Sequence, residues 1–369
     1  MFFGTCVRAG GAVGLSLLFF LPSWAQQSAA DKLIAAGHYR RAQPLVQATL
    51  DKHPQDIDAL VALSTIQWAF GQLDAATTTA ERALRASDGS AAAHAQMLNI
   101  LGAKLASPKF GTFDKMGLSR RFHQEADRTL QLDPGNPYAH EALARFYWYA
   151  PVFAGGSKAK ARQWVDKLIQ LDPARGYALK AELDTTESDK GIRCSGAVQT
   201  DWTQAVTANP ASYLAHAGLG DCLLTAESAR WQGAEDEARK ALALDPSRIN
   251  AYRILAVAYV ATARWDNLEA NLKRARAAVP DDLGAEFIAA QTILDRHVGS
   301  QWTRAEECLR HYLNQPNDGL EPTAAVAHWR LGNVLEKEGR KSAALQELGM
   351  ALALDPSQEG AKKDLKRLQ

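Results

Sequence analysis

The chain has 369 residues, 47% of them hydrophobic and 22% charged. This is globular composition, not the low-hydrophobicity, high-charge profile of a disordered chain. With 42 Lys+Arg against 41 Asp+Glu, no overall basic excess favours nucleic acid or an anionic membrane as the default partner.

Arg8 is the only charge in the first 30 residues; a mostly apolar run, Gly11 to Leu21, follows it, then Pro22, Ser23, Trp24 and Ala25. A small residue, any residue, then Ala is a signal-peptidase pattern, so residues 1–25 read as a signal peptide cleaved after Ala25. The run falls short of the roughly 20 residues a membrane span needs; an uncleaved anchor is the rival reading. Cys6 precedes the run and is not a lipoprotein cysteine. The expectation is an exported chain, periplasmic in a Gram-negative cell, with no stable membrane insertion after cleavage. Residues 26–369 then carry 41 positive and 41 negative charges.

Three cysteines remain: Cys194, Cys222 and Cys308. An oxidising compartment allows one pair and a free thiol. Cys194 and Cys222, in consecutive sequence units, are the candidate disulfide; three unpaired thiols are the alternative, because sequence does not set the Cα separation.

Ala accounts for 67 residues. It is the best helix former and lets helices approach closely. Leu-Asp-Pro occurs four times, ending at Pro134, Pro173, Pro246 and Pro356, and related stops end at Pro54, Pro210 and Pro280. Successive gaps are 80, 39, 37, 36, 34 and 76 residues. The two large gaps each hold two units, so the period is close to 34, with insertions. Each Pro lacks an N–H and ends a helix. In the cleanest unit, Tyr252, Leu255, Ala256 and Tyr259 share one face of a first helix, Trp265 marks the turn, and Leu268, Leu272 and Ala275 share one face of a second. The unit from Tyr213 and the final unit repeat this pattern, the latter with His328, Leu331, Gly332, Leu335, Gly339, Ala344, Leu348 and Ala351.

These residues resemble the tetratricopeptide repeat family. The resemblance covers nearly all of residues 28–358, and Ala361, Leu365 and Leu368 fit a solvating cap. It implies an all-α fold, an α-solenoid of about nine helical hairpins plus a C-terminal capping helix. The units fall near 26–56, 57–90, 91–136, 137–175, 176–212, 213–248, 249–282, 283–324 and 325–358, with the cap at 359–369. A Sel1-like array is the runner-up, disfavoured by the 34-residue register.

Three units carry extra residues: around Ala106–Leu118, around Pro151–Ser157, and in the unit from Leu283. Solenoid insertions go to loops, which often carry function. In Ala150–Lys158, Gly155 and Gly156 permit unusual backbone angles and Ser157 suits an N-cap. The loop reads either as a helix N-terminal anion or ligand contact or as a longer turn. Its Pro-x-x-x-Gly-Gly form also resembles exported tetratricopeptide proteins associated with tripartite substrate-binding transporters.

Chemistry is scarce. His94, His140, His216 and His328 stand at the fourth place of their units, a packing place on separate layers, so no shared metal is expected. No HExxH, GxSxG, GxxxxGK[ST] or CxxC occurs. The expectation is no catalysis, no cofactor and no nucleic acid. First helices of such repeats line a groove, and their non-packing places hold Trp68, Asn99, Tyr138, Glu141, Arg145, Trp148, Tyr149, Asp221, Arg253, Trp329 and Asn333. Aromatics and Arg anchor interfaces, although Trp148 in particular also reads as a packing residue. The family's chaperone-binding subset uses a Lys–Asn clamp; here Asn99 and Asn333 fit, but Ala95 and Trp329 stand at the Lys place. The sequence therefore predicts a scaffold for a protein or peptide. The alternatives are a small-molecule or transport-associated binding component, using the aromatic cluster and the loop, and a domain regulating an envelope enzyme.

Overall fold

The computed structural model describes residues 28–107, 109–185, 194–225, 230–316 and 322–369. The predicted signal peptide lies outside them. Among the described residues nine helical hairpins follow one another. The first four are α1 (Ala29–Ala36) with α2 (Tyr39–Lys52), α3 (Ile57–Ala69) with α4 (Leu73–Ala86), α5 (Ala91–Ala106) with α6 (Thr112–Leu132), and α7 (Pro137–Tyr149) with α8 (Lys158–Leu171). The next three are α9 (Pro173–Thr185) with α10 (Gly196–Ala208), α11 (Tyr213–Thr225) with α12 (Trp231–Leu244), and α13 (Ile249–Ala261) with α14 (Trp265–Ala278). The last two are α15 (Gly284–Asp295) with α16 (Trp302–Leu313) and α17 (Ala324–Lys337) with α18 (Lys341–Leu354), closed by α19 (Glu359–Leu368). The architecture is an all-α solenoid.

Local chemistry sets the helix ends. First helices begin behind side-chain caps: the side chains of Asp56, Ser90, Asn136 and Thr323 each accept a backbone N–H three residues on. Six of the turns between paired helices hold one left-handed residue, Gly155 in the fourth hairpin among them. Gly37, Gly71 and Gly339 supply it without strain, whereas Ala263 and His297 adopt φ 53° without being glycine. Second helices stop at the Pro signals. The exception is Pro173, which opens α9 directly after Asp172, since Pro is tolerated in a helix's first turn.

The packing constraint sits twelve residues before each closing proline. That place holds Ala42, Ala161, Ala234 and Ala344, and Ala76 and Ala305 occupy the equivalent fourth position of their helices; all six are fully buried. Larger side chains stand there in three units, Phe122, Val198 and Leu268, and a glycine on a neighbouring helix makes room at or beside the first two. Phe122 of α6 packs on Gly102 of α5. Beside Val198 of α10, Trp202 lies so close to Gly218 of α11 that an added Cβ would sit 2.2 Å from the indole. The largest buried cluster runs without interruption from Ala178 to Ala344, and three smaller clusters serve the first four hairpins.

The insertion around Ala106–Leu118 is partly helical rather than loop. Thr112–Leu118 extends α6 by about two turns, and Asp114 accepts the Gly111 N–H at 3.1 Å to start it.

The array also returns on itself. His38, buried at the α1–α2 turn, has Nδ1 2.9 Å from Asp281 Oδ1, beyond the seventh hairpin. Arg40 donates to the Asp281 carbonyl, to Gln315 Oε1 and to the Pro316 carbonyl. Gln315 Oε1 in turn accepts the Leu283 N–H at 2.9 Å.

Two substitutions test this packing. In Gly176→Ala the new Cβ would sit 2.5 Å from the Ile169 backbone nitrogen, so stability should fall by roughly 1–3 kcal/mol. Ala263→Gly, which relieves the left-handed alanine, should stabilise by roughly 0.5–1 kcal/mol. Thermal or urea denaturation reads both.

Candidate functional site

The first-helix face holds the residues expected in the groove, but the structure divides them. Trp68 on α3 is 36% exposed, Tyr138 at the start of α7 is 50% and Tyr149 at its end is 57%. Trp148 is only 4% exposed and lies in the fourth-hairpin core, with Lys158 Nζ 3.6 Å above its ring. It is a packing residue. Asn99 is half-buried on α5, and Asp221 is exposed on α11.

The charged members are engaged across repeats. Glu141 pairs with Arg175 of α9 at 2.7 Å, and the same guanidinium covers Tyr138 at 4.3 Å from the ring centroid. Arg145 pairs with Glu182 at 2.6 Å. Lys180 bonds Asp184 at 2.9 Å and Asp201 at 2.7 Å. Arg253 pairs with Asp282 at 3.4 Å and fills space that only a glycine at 284 leaves. Trp329 Nε1 and Asn333 Nδ2 each donate to Asp364 of the cap at 2.7 Å. Six of the expected anchors are therefore rungs of a ladder tying successive hairpins.

Arg175, Glu182, Lys180 and Asp201 complete that ladder and were not expected as site residues. The signal that finds them is opposite charges about one repeat apart, as in Glu141 and Arg175. A second unexpected group lines the same face near the closure. Tyr39 lies within electrostatic reach of Arg248 and Tyr138, and burial raises its phenol. Tyr213 donates to the Arg248 carbonyl at 3.2 Å and accepts the Ala251 N–H at 3.0 Å; burial pushes its phenol up to about 12.

The Gly-Gly loop is a built turn. Gly155 takes φ 94°, and a Cβ at Gly156 would overlap the Ala150 carbonyl oxygen. The Gly155, Gly156 and Ser157 N–H groups donate to the carbonyls of Val152, Pro151 and Tyr147. Ser157 Oγ caps α8 by accepting the Lys160 N–H at 3.3 Å. Those three amides are thus satisfied within the turn. A cavity of about 520 Å³ is lined instead by Arg230, Trp231, Gln232, Gly233, Thr262 and Arg264.

The histidines pair within their own hairpins: His94 with Glu125 at 2.6 Å, His216 with Glu237 at 2.5 Å and His328 with Glu347 at 2.6 Å. His140 meets Trp164 edge-on instead, at 5.3 Å. Among the described residues no three His, Cys, Asp or Glu side chains converge as a ligand set. Cys194 and Cys222 form a disulfide with Cα atoms 5.0 Å apart. Burial pushes the Cys308 thiol well above its ordinary value.

Residues 33–99 match the family model described as tetratricopeptide repeat. The matched residues lie in the first three of the nine hairpins. No curated protein matches the sequence. Among solved structures, the array is similar to the crystal structure of the APC/C hetero-tetramer Cut9-Hcn1, at 14% identity and TM-score 0.47 over 89% of this chain. It spans 58% of that chain. It is also similar to yeast Tom70, at 16% identity and TM-score 0.47 over 92% of this chain and 79% of that one. A thermophilic TPR protein in Thermus thermophilus matches at 21% identity and TM-score 0.37, over 47% of this chain and 89% of that one.

The ladder makes the array acid-sensitive in a defined direction. Burial alone would raise the Asp364 carboxyl, but hydrogen bonds from Trp329, Asn333 and Arg367 hold it below the usual carboxylate range. Asp281 is likewise held down, against its burial, by His38. A carboxyl depressed in the folded state adds stability above its unfolded pKa, near 3.9, and loses it as pH falls through the folded value. The melting temperature should therefore drop below about pH 4. Asp364→Asn should cost about 1–3 kcal/mol at neutral pH and flatten the acid limb, read by circular dichroism melts across pH.

Proposed function

We propose that this protein is an exported, non-catalytic scaffold whose first-helix face holds a protein or peptide partner. A tetratricopeptide array is a protein-interaction fold. The observation that carries the reading is the exposure of Trp68 and Tyr138 on first helices, since exposed aromatics on a rigid face anchor interfaces at low ordering cost. The charges around Tyr138 are already committed to the ladder, so that part of the face is pre-organised before a partner arrives. Export is supported by the Arg8, Gly11–Leu21 and Ser23-Trp24-Ala25 pattern and by the Cys194–Cys222 disulfide, which persists in oxidising compartments. The partner binds in the cell envelope, periplasmic in a Gram-negative cell.

Crosslinking and pull-down from the exported fraction test this. Trp68→Ala with Tyr138→Ala should weaken capture of the principal co-purifying protein about tenfold or more while leaving circular dichroism unchanged. Trp148→Ala serves as the contrast: it should lower stability by roughly 3–5 kcal/mol. Undiminished capture by the exposed-aromatic variant would remove the assignment, and finding the chain wholly inside the cytoplasm would remove the export reading.

A further inference from the structure

The four most exposed large hydrophobic side chains among the described residues are Phe113 (90%), Val152 (87%), Met116 (64%) and Tyr149 (57%). All four lie in or beside the two insertions of adjacent hairpins. Phe122 stacks on Phe146 at 4.9 Å, and His123 lies 5.8 Å from Tyr147, so α6 runs beside the end of α7. From Phe122 back to Thr112, α6 continues for about 15 Å toward the end of the hairpin at which α7 gives way to loop 150–157. Phe113 and Met116 are three apart and share one helix face. The two insertions therefore form one protruding edge.

That edge is also basic, in a chain balanced overall. Residues 104–121 hold five cations and one anion, and residues 150–163 hold three cations and no anion. Lys104 is bound to Asp74, and Arg121 to Glu81 and Glu125, while Lys158 and Arg162 lie over the Trp148 ring. Lys109 and Arg120 are exposed and Lys115 is half-buried beside Met116.

We propose that this edge, with Phe113, Met116 and Val152 set among Lys109, Lys115 and Arg120, docks the array on an anionic lipid bilayer surface. The apolar groups stand proud on two separate segments rather than lining a groove, which suits a deformable apolar medium. The surrounding Lys and Arg can keep their charges at the headgroup level while their stems pack below. Among the described residues no helix is long and apolar enough to cross a membrane; this is a surface contact. It goes beyond the partner reading, because Trp68 and Tyr138 are not part of the edge.

The test needs a local readout, since the Gly11–Leu21 run would itself take up lipid. An environment-sensitive fluorophore is placed on the full chain at Gly117→Cys, beside Phe113 and Met116, in a Cys6→Ser background; a control carries it at Lys363→Cys on the cap. Vesicles with about 30% phosphatidylglycerol should shift the dye at 117 to the blue and expose it to quenching by brominated acyl chains, with no change at 363. Phosphatidylcholine vesicles should do neither. Lys109→Glu with Arg120→Glu, and separately Phe113→Ser with Met116→Ser, should each raise the lipid needed for half the shift about tenfold or more. These residues are on the surface, so circular dichroism should stay unchanged. A dye at 117 that remains in water beside anionic vesicles would overturn the proposal. So would a shift that survives both pairs of substitutions, or shielding only by an acidic partner protein.

Discussion

The structure rests on how closely the two helices of each hairpin approach. Six second helices present a fully buried alanine at the same fourth position, and a methyl group there lets the backbones cross at short range. A short crossing brings the neighbouring Leu and Tyr side chains into contact, and it brings each first helix against the next. Where bulk intrudes, as with Phe122 or Trp202, a glycine on the facing helix takes up the volume. The array is thus a repeated volume match rather than a repeated sequence. Loops, caps and charges can vary around it.

Because each hairpin buries only part of its surface internally, neighbours must complete it. The ladder from Glu141–Arg175 through Trp329–Asp364 stitches the same first-helix face that carries the exposed aromatics. Individual exposed ion pairs add little. Their geometric effect is larger, since each fixes the position of a side chain on the face proposed to hold a partner. The closure between His38 and Asp281 limits how far the two ends of that face can open.

The hairpin order was legible from the proline stops and the Ala, Leu and Tyr spacing, because those signals are local to one unit. The closure was not: it depends on a rotation accumulated over seven hairpins, which no single unit encodes. Trp148 illustrates a second limit. Its sequence place fits both groove and core, and only the loop that brings Lys158 over its ring decides between them. The α6 extension is not legible as helix in the sequence, because Phe113 and Met116 are exposed and no burial pattern marks the segment. Charge behaved similarly. A net of +1 for the whole chain conceals one basic edge, because the acidic residues that balance it lie outside the two insertions, Glu125, Asp127, Glu141 and Asp166 of the same hairpins among them.

The central claim, that the first-helix face holds a protein, is tested most directly by photo-crosslinking in living cells. A photoreactive amino acid is introduced singly at Trp68 and Tyr138 on first helices, and at Leu171 and Leu354 on second helices. The account predicts a discrete protein adduct from the first two positions and none from the last two. An adduct confined to the second-helix positions would contradict it.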